Sequence, residues 1–169
     1  MPGSPTDAER PGAHPLAVAA GDYLWFCDLA LDTMAGILEE LGDELANRRP
    51  PFPAANSPYA IVTHCLGVME YWGGATIADR RIERDRAAEF TASGPVAPLL
   101  RRTEEARRRL ADDIKALDPW AEPTNVHRSP DDVAPYKDTK GAVLLHVLEE
   151  LFQHLGQMEL TRDALTAAS

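Results

Sequence analysis

The chain is poor in the features that usually declare a function. It has two cysteines, Cys27 and Cys65, both set inside helix-like apolar patterns, so there is no disulfide framework and no Cys-x-x-Cys pair; they read as reduced core thiols. No glycine-rich phosphate loop, dinucleotide fingerprint or internal repeat occurs. The period-two alternation of a strand is almost absent. No apolar run is long enough to span a bilayer, and the Pro/Gly-rich, acidic beginning lacks the apolar stretch of a signal peptide. Cationic excess is missing too: 17 Lys and Arg against 27 Asp and Glu leave a formal net charge of −10. That argues against non-specific nucleic-acid binding and attachment to acidic membranes. A cytoplasmic protein is expected, with one domain, since 169 residues suffice for a real core.

What the chain has in quantity is helical periodicity. Residues 1–15, rich in Pro and Gly, read as a flexible tail, and 16–169 as a single domain. A first helix is expected from Pro15 or Gly21 to about Asn47, because Leu24, Cys27, Leu31, Met34, Leu38, Leu41 and Leu45 follow a 3-4 spacing. Arg48-Arg49-Pro50-Pro51 ends it. Ser57-Pro58 reads as the cap and first residue of a second helix running to about Gly73, with Ile61, Cys65, Val68 and Trp72 as its stripe. Ala75 to Ser93 is charged and reads as an irregular crossover with room for a helical turn. Gly94-Pro95 opens a third helix, with Leu99, Leu100, Ala106, Leu110, Ile114 and Leu117 inward and an arginine-rich outer face. The proline-rich connection Asp118 to Lys137, about 20 residues, is long for a helical domain and hints at a functional loop. It holds Trp120, His127 and Tyr136. Asp138 or Thr139 then caps a fourth helix to about Thr166. The fold class that follows is all-α: a four-helix bundle with long crossover connections.

One stretch of the last helix stands out, His146-Val-Leu-Glu-Glu150-Leu-Phe-Gln-His154-Leu-Gly-Gln157. Glu150 and His154 are separated by about 40° on the helical wheel and can reach one point. His154 falls inside the apolar arc and Glu150 at its edge. On the second helix His64 falls between Val68 and Tyr71 and also tilts inward. Buried ionisable groups are costly unless paired or metal-bound. Two imidazoles and a carboxylate from facing helices suit Zn²⁺ with an open position, and they also suit Fe²⁺ or Ni²⁺. The other reading is a hydrogen-bonded core histidine beside an ordinary Glu/His helix pair. His146, about 80° from His154 on the wheel, is a rival ligand that reads as more exposed, a rim or outer group. His14 and His127 read as solvated, and Trp25 and Trp72 as packing residues.

At these residues the chain resembles the DinB-like superfamily, and within it the mycothiol-dependent branch that includes maleylpyruvate isomerase. The resemblance rests on Ile61-Val62-Thr63-His64-Cys65-Leu66-Gly67-Val68-Met69-Glu70-Tyr71-Trp72, on Arg84-Asp85-Arg86-Ala87-Ala88-Glu89-Phe90, and on the His146–Gln157 stretch with Arg162 beyond it. It implies a DinB-like bundle whose metal triad is His64, Glu150 and His154. It implies a divalent-metal thiol S-transferase, with zinc as cofactor and mycothiol as co-substrate, joining the thiol to a small electrophile in detoxification chemistry. Arg81, Arg84 and Arg162 are the candidates for receiving an anionic group, and His146 is the outer histidine. Gln157 departs from the branch, which often ends His-x-Gly-His, and matches the His-x-Gly-Gln ending of the wider family. The partners expected are a low-molecular-weight thiol and a small electrophile, with no nucleic acid and no membrane, in a monomer or homodimer. Metal-dependent hydrolysis, a non-catalytic binding or stress-response bundle, and a helical pairing module through the first helix remain open beside this.

Overall fold

The computed structural model describes residues 18–126 and 138–167, and among these no strand occurs. The expected tail lies outside the described residues, as do His14, His127 and Tyr136. The elements are α1 (Ala20–Ala46), α2 (Pro58–Val68) running on into a π-helical segment (Met69–Ile77), the short α3 (Arg86–Glu89), α4 (Val96–Asp113) and α5 (Lys140–Ala167).

The expected stripes become the core. From α1, Cys27, Leu31, Met34, Leu38 and Leu41 are buried; from α5, Val143, Leu144, Val147, Leu151, Leu155 and Met158. These two helices lie against each other, with α2 and α4 packed beside α1, and the π-helical segment touching both α4 and α5. Leu31, Met34, Leu38 and Leu151 have essentially no solvent exposure, and truncating such a side chain to Ala costs about 2–5 kcal/mol.

Helix ends follow from sequence. The Ser57 hydroxyl accepts from the Ala60 amide with Pro58 at the first helical position, and Thr139 accepts from the Ala142 amide to open α5. Asp138-or-Thr139 thus resolves to Thr139. Inside α1, Gly42 leaves helical geometry at φ 61°, ψ −177° and kinks the helix, a backbone region essentially reserved for glycine.

The second helix does not stop at Gly73. It continues through Ile77 with wider turns. Gly74 carries no Cβ, and one placed there would meet the Arg80 guanidinium at 2.6 Å; that side chain crosses to an ion pair with Asp113 on α4. The start of the long second connection and the start of α5 are tied to the same place: the Thr124 amide donates to the Thr76 carbonyl at 2.8 Å, and Lys140 Nζ to the Ile77 carbonyl at 2.8 Å.

On α1 and α4, two exposure assignments change. Trp25 does not pack inward: it is 59 % exposed, its ring edge set against Phe26. Arg107, one of the arginines expected on the outer face of the helix that Gly94-Pro95 opens, turns toward α1 and pairs with Asp28 and Asp32.

Candidate metal centre

His64 is carried on α2 among residues that are almost all buried, and is itself only 2 % exposed. Glu150 and His154 come from α5, one turn apart. The Glu150 Oε2 atom lies 3.5 Å from His64 Nε2 and 3.3 Å from His154 Nε2. The two imidazole rings meet edge to face at 4.7 Å between centroids. One ligand atom from each of the three residues falls within 4.8 Å of the others.

The far nitrogens of both rings are occupied. His64 Nδ1 lies 2.8 Å from Glu89 Oε2, and His154 Nδ1 lies 2.9 Å from Gln157 Oε1. An amide oxygen only accepts, so His154 must carry a proton on Nδ1 to make that bond. Glu89 is in turn gripped by Arg84, with Nε on Oε1 at 2.7 Å and Nη2 on Oε2 at 2.9 Å. The next residue, Phe90, stacks on the His64 ring at 4.6 Å. The short α3 makes this possible. Asp85 caps it by accepting from the Ala88 amide at 3.0 Å, which turns Glu89 inward to 8 % exposure.

The electrostatics agree with the geometry. Hydrogen bonds from His154 and His64 hold the Glu150 carboxyl well below the usual carboxylate range, against the opposing effect of burial. Burial would raise the Glu89 carboxyl, but the bonds from Arg84 and His64 outweigh it and bring it below its ordinary value. The bond to Glu150 raises His154 above the ordinary histidine value, with burial opposing and Gln157 assisting.

His146 corrects the sequence reading. Its side chain is 12 % exposed, less than the 16 % of His154 and the 22 % of Glu150. Trp72, from the π-helical segment, meets its ring edge-on at 5.2 Å. Its Nδ1 lies 3.1 Å from Glu149 Oε2 and its Nε2 lies 3.7 Å from Glu150 Oε1. It therefore approaches the oxygen of Glu150 that does not face the other two histidines. The three arginines divide. Arg84 joins the cluster through Glu89, with its guanidinium 5.7 Å from the Tyr71 ring centroid. Arg81 is largely exposed beside Glu83, and Arg162, two turns past His154, pairs with its neighbour Asp163.

Glu89 and the role of Gln157 were not legible as site features in the sequence. Gln157 had a signal, the i, i+3 spacing from His154 that puts two side chains in reach. Glu89 sits in a charged run where nothing local distinguishes it from its solvated neighbours; only the Asp85 cap marks the turn that aims it.

These observations define an all-helical protein with two imidazoles and a carboxylate converging between facing helices, each imidazole anchored from behind. The chain belongs to the mycothiol S-transferase family, a DinB-like family, whose model matches residues 24–167. The family name points to transferase chemistry involving the thiol mycothiol. A search of curated proteins and a search of solved structures gave no match.

Proposed function

We propose that this protein is a divalent-metal-dependent thiol S-transferase, with mycothiol as the thiol and a small electrophile as its target, built as a single DinB-like four-helix bundle over 16–169. The observation that carries the reading is that both imidazole Nε2 atoms face one oxygen of Glu150, at 3.5 Å and 3.3 Å, while both Nδ1 atoms are held by other groups. Two neutral nitrogens and an anionic oxygen in one place form a donor set that fits zinc with room for another ligand.

His64, Glu150 and His154 would hold the cation. A zinc ion there supplies Lewis acidity that lowers the pKa of a thiol sharing the site, so that thiolate is present near neutral pH. The protein's own part is to orient and to exclude water. Glu89 and Gln157 fix the two rings, and Phe90 covers the buried face of His64. Glu150 and His154 keep partial exposure, so small molecules approach from their side. No protein nucleophile is required, because the thiol attacks. Arg81 and Arg162 are candidates for an anionic group of the co-substrates; Arg84 already serves Glu89 and would share itself between the two. No described helix is long and apolar enough to cross a membrane, and two free cysteines suit the reducing cytoplasm proposed for it.

The test is elemental analysis of the purified full chain beside His154→Ala, with a thiol-consumption assay using mycothiol and a bimane electrophile. Stoichiometric zinc in the first, its loss in the second, and turnover that requires both zinc and thiol are expected. Metal unchanged in His154→Ala would overturn the centre, and turnover without thiol would replace transfer by hydrolysis.

A further inference from the structure

Glu89 does more than neutralise Arg84. We propose that it is the positioning residue of the centre, holding the His64 ring with its proton on Nδ1 so that Nε2 is presented toward Glu150, and that glycine at 67 is what lets it do so. The inference rests on the metal reading given above and concerns this chain's own residues.

Four features of the fold converge on it. The Glu89 carboxylate and His64 Nδ1 are 2.8 Å apart, and an ionised carboxylate only accepts, so the proton in that bond belongs to the ring. The carboxylate cannot swing, because Arg84 holds both its oxygens in a two-point grip. The ring cannot swing either, because Phe90 stacks on its face, tilted by 29°, with centroids 4.6 Å apart. Finally, α2 carries no side chain where the carboxylate passes. A Cβ at Gly67 would lie 2.1 Å from Glu89 Oε1 and 2.6 Å from its Cδ. Any other residue at 67, one turn after His64, would push the carboxylate off the ring.

The geometry separates the two histidines. His154 leans on the neutral amide of Gln157, a neighbour on its own helix. His64 leans on a buried anion delivered from another element, 25 residues away in sequence. Carboxylate-backed imidazoles are firmly oriented ligands, and loss of such a partner typically weakens metal affinity by about 10–100-fold. His64 is therefore the more firmly held of the two rings, and the α3 turn is part of the centre.

The experiment measures Zn²⁺ affinity of the full chain by competition with a chromophoric chelator. The proteins are wild type, His64→Ala, Glu89→Gln and Gly67→Ala, each checked for helical content and melting. Wild type should bind tightly and His64→Ala should not. Glu89→Gln and Gly67→Ala should each weaken binding by about tenfold or more. Gly67→Ala leaves every charge in place and substitutes a better helix former, so a loss there reports displacement of the carboxylate. A slowly exchanging His64 Nδ1–H proton resonance, visible in wild type, should vanish in Gly67→Ala and move upfield with faster exchange in Glu89→Gln, whose neutral amide oxygen is a weaker acceptor, a readout that a general loss of stability would not give. If wild type and His64→Ala bind zinc equally, the metal reading fails. If they differ but Glu89→Gln stays within twofold of wild type, the metal reading stands and the positioning role is overturned. Should Glu89→Gln not fold, Gly67→Ala decides on the same threshold.

Discussion

Gln157 accepts a hydrogen bond from His154 Nδ1 at 2.9 Å, one turn along α5. The bond fixes which nitrogen of the ring faces Glu150. Gln157→Leu keeps the volume and removes the acceptor, leaving the ring free to flip or change tautomer. Zinc affinity should fall by about tenfold, with little change in helical content. The loss should be smaller than for Glu89→Gln, because a neutral acceptor contributes less than a charged one. Affinity equal to wild type would show that helix packing alone orients His154.

Gly42 and Asp43 join α1 to α4. The kink at Gly42 turns Asp43 so that its Oδ1 accepts from the Val96 amide at 2.8 Å, and Asn47 exchanges hydrogen bonds with Gly94 at 2.9 Å in both directions. Pro95 opens α4 without a side-chain cap of its own, so α1 supplies it. Nothing lies within 4 Å of where a Gly42 Cβ would go. Gly42→Ala is therefore penalised by backbone conformation alone, by about 1–3 kcal/mol. Asp43→Ala should cost about 1 kcal/mol through the lost cap. Urea unfolding of the two variants checks both values. A neutral Gly42→Ala would mean that the kink relaxes into continuous helix at no cost.

The long helices were legible because burial writes a period into the sequence. Leu31, Leu38, Leu151 and Leu155 recur on one face, and the structure buries them all. His64, Glu150 and His154 were legible for a related reason: ionisable groups on an apolar arc are rare enough to need a purpose. What the sequence hid depends on contacts between distant segments. The continuation of the second helix past Gly73 is set by Arg80 reaching Asp113 over Gly74. The burial of His146 involves Trp72, whose ring meets it from the π-helical segment. Neither relation leaves a local periodic trace. Trp25 shows the opposite limit: an aromatic beside a core stripe reads as a packing residue, yet it lies one position off the buried face, next to the partly buried Leu24.

Cys27 and Cys65 should behave as inert core residues. Cys27 is 1 % exposed and Cys65 0 %. Burial pushes the Cys27 thiol up to about 11, against a lowering hydrogen bond from Tyr23 and with a smaller upward contribution from Asp28. Burial raises Cys65 further, with Glu150 adding to it. Reactivity needs thiolate and access, and both are lacking. An aromatic disulfide reagent should label neither thiol in the native protein and both in denaturant. Labelling of Cys65 without unfolding would mean that α2 opens locally beside His64.

Protons and zinc should compete for His154, and the competition fixes how stability depends on pH. In the metal-free protein the His154 pKa is raised above its ordinary 6.5. Its contribution to stability is therefore complete below about 6.5 and is lost as pH rises through the raised folded value. Glu89 and Glu150 work in the other direction. Their folded values lie below the ordinary 4.5, so their contribution is complete above about 4.5 and is lost as pH falls through those depressed values. The stripped protein should be most stable between these limits and lose melting temperature on the alkaline side as His154 deprotonates. Zinc needs that same nitrogen unprotonated, so the rise in melting temperature caused by zinc should grow from about pH 5 to about pH 8. Thermal melts of stripped and zinc-loaded protein across this range measure both trends. A zinc-induced rise independent of pH would show that His154 is not among the ligands.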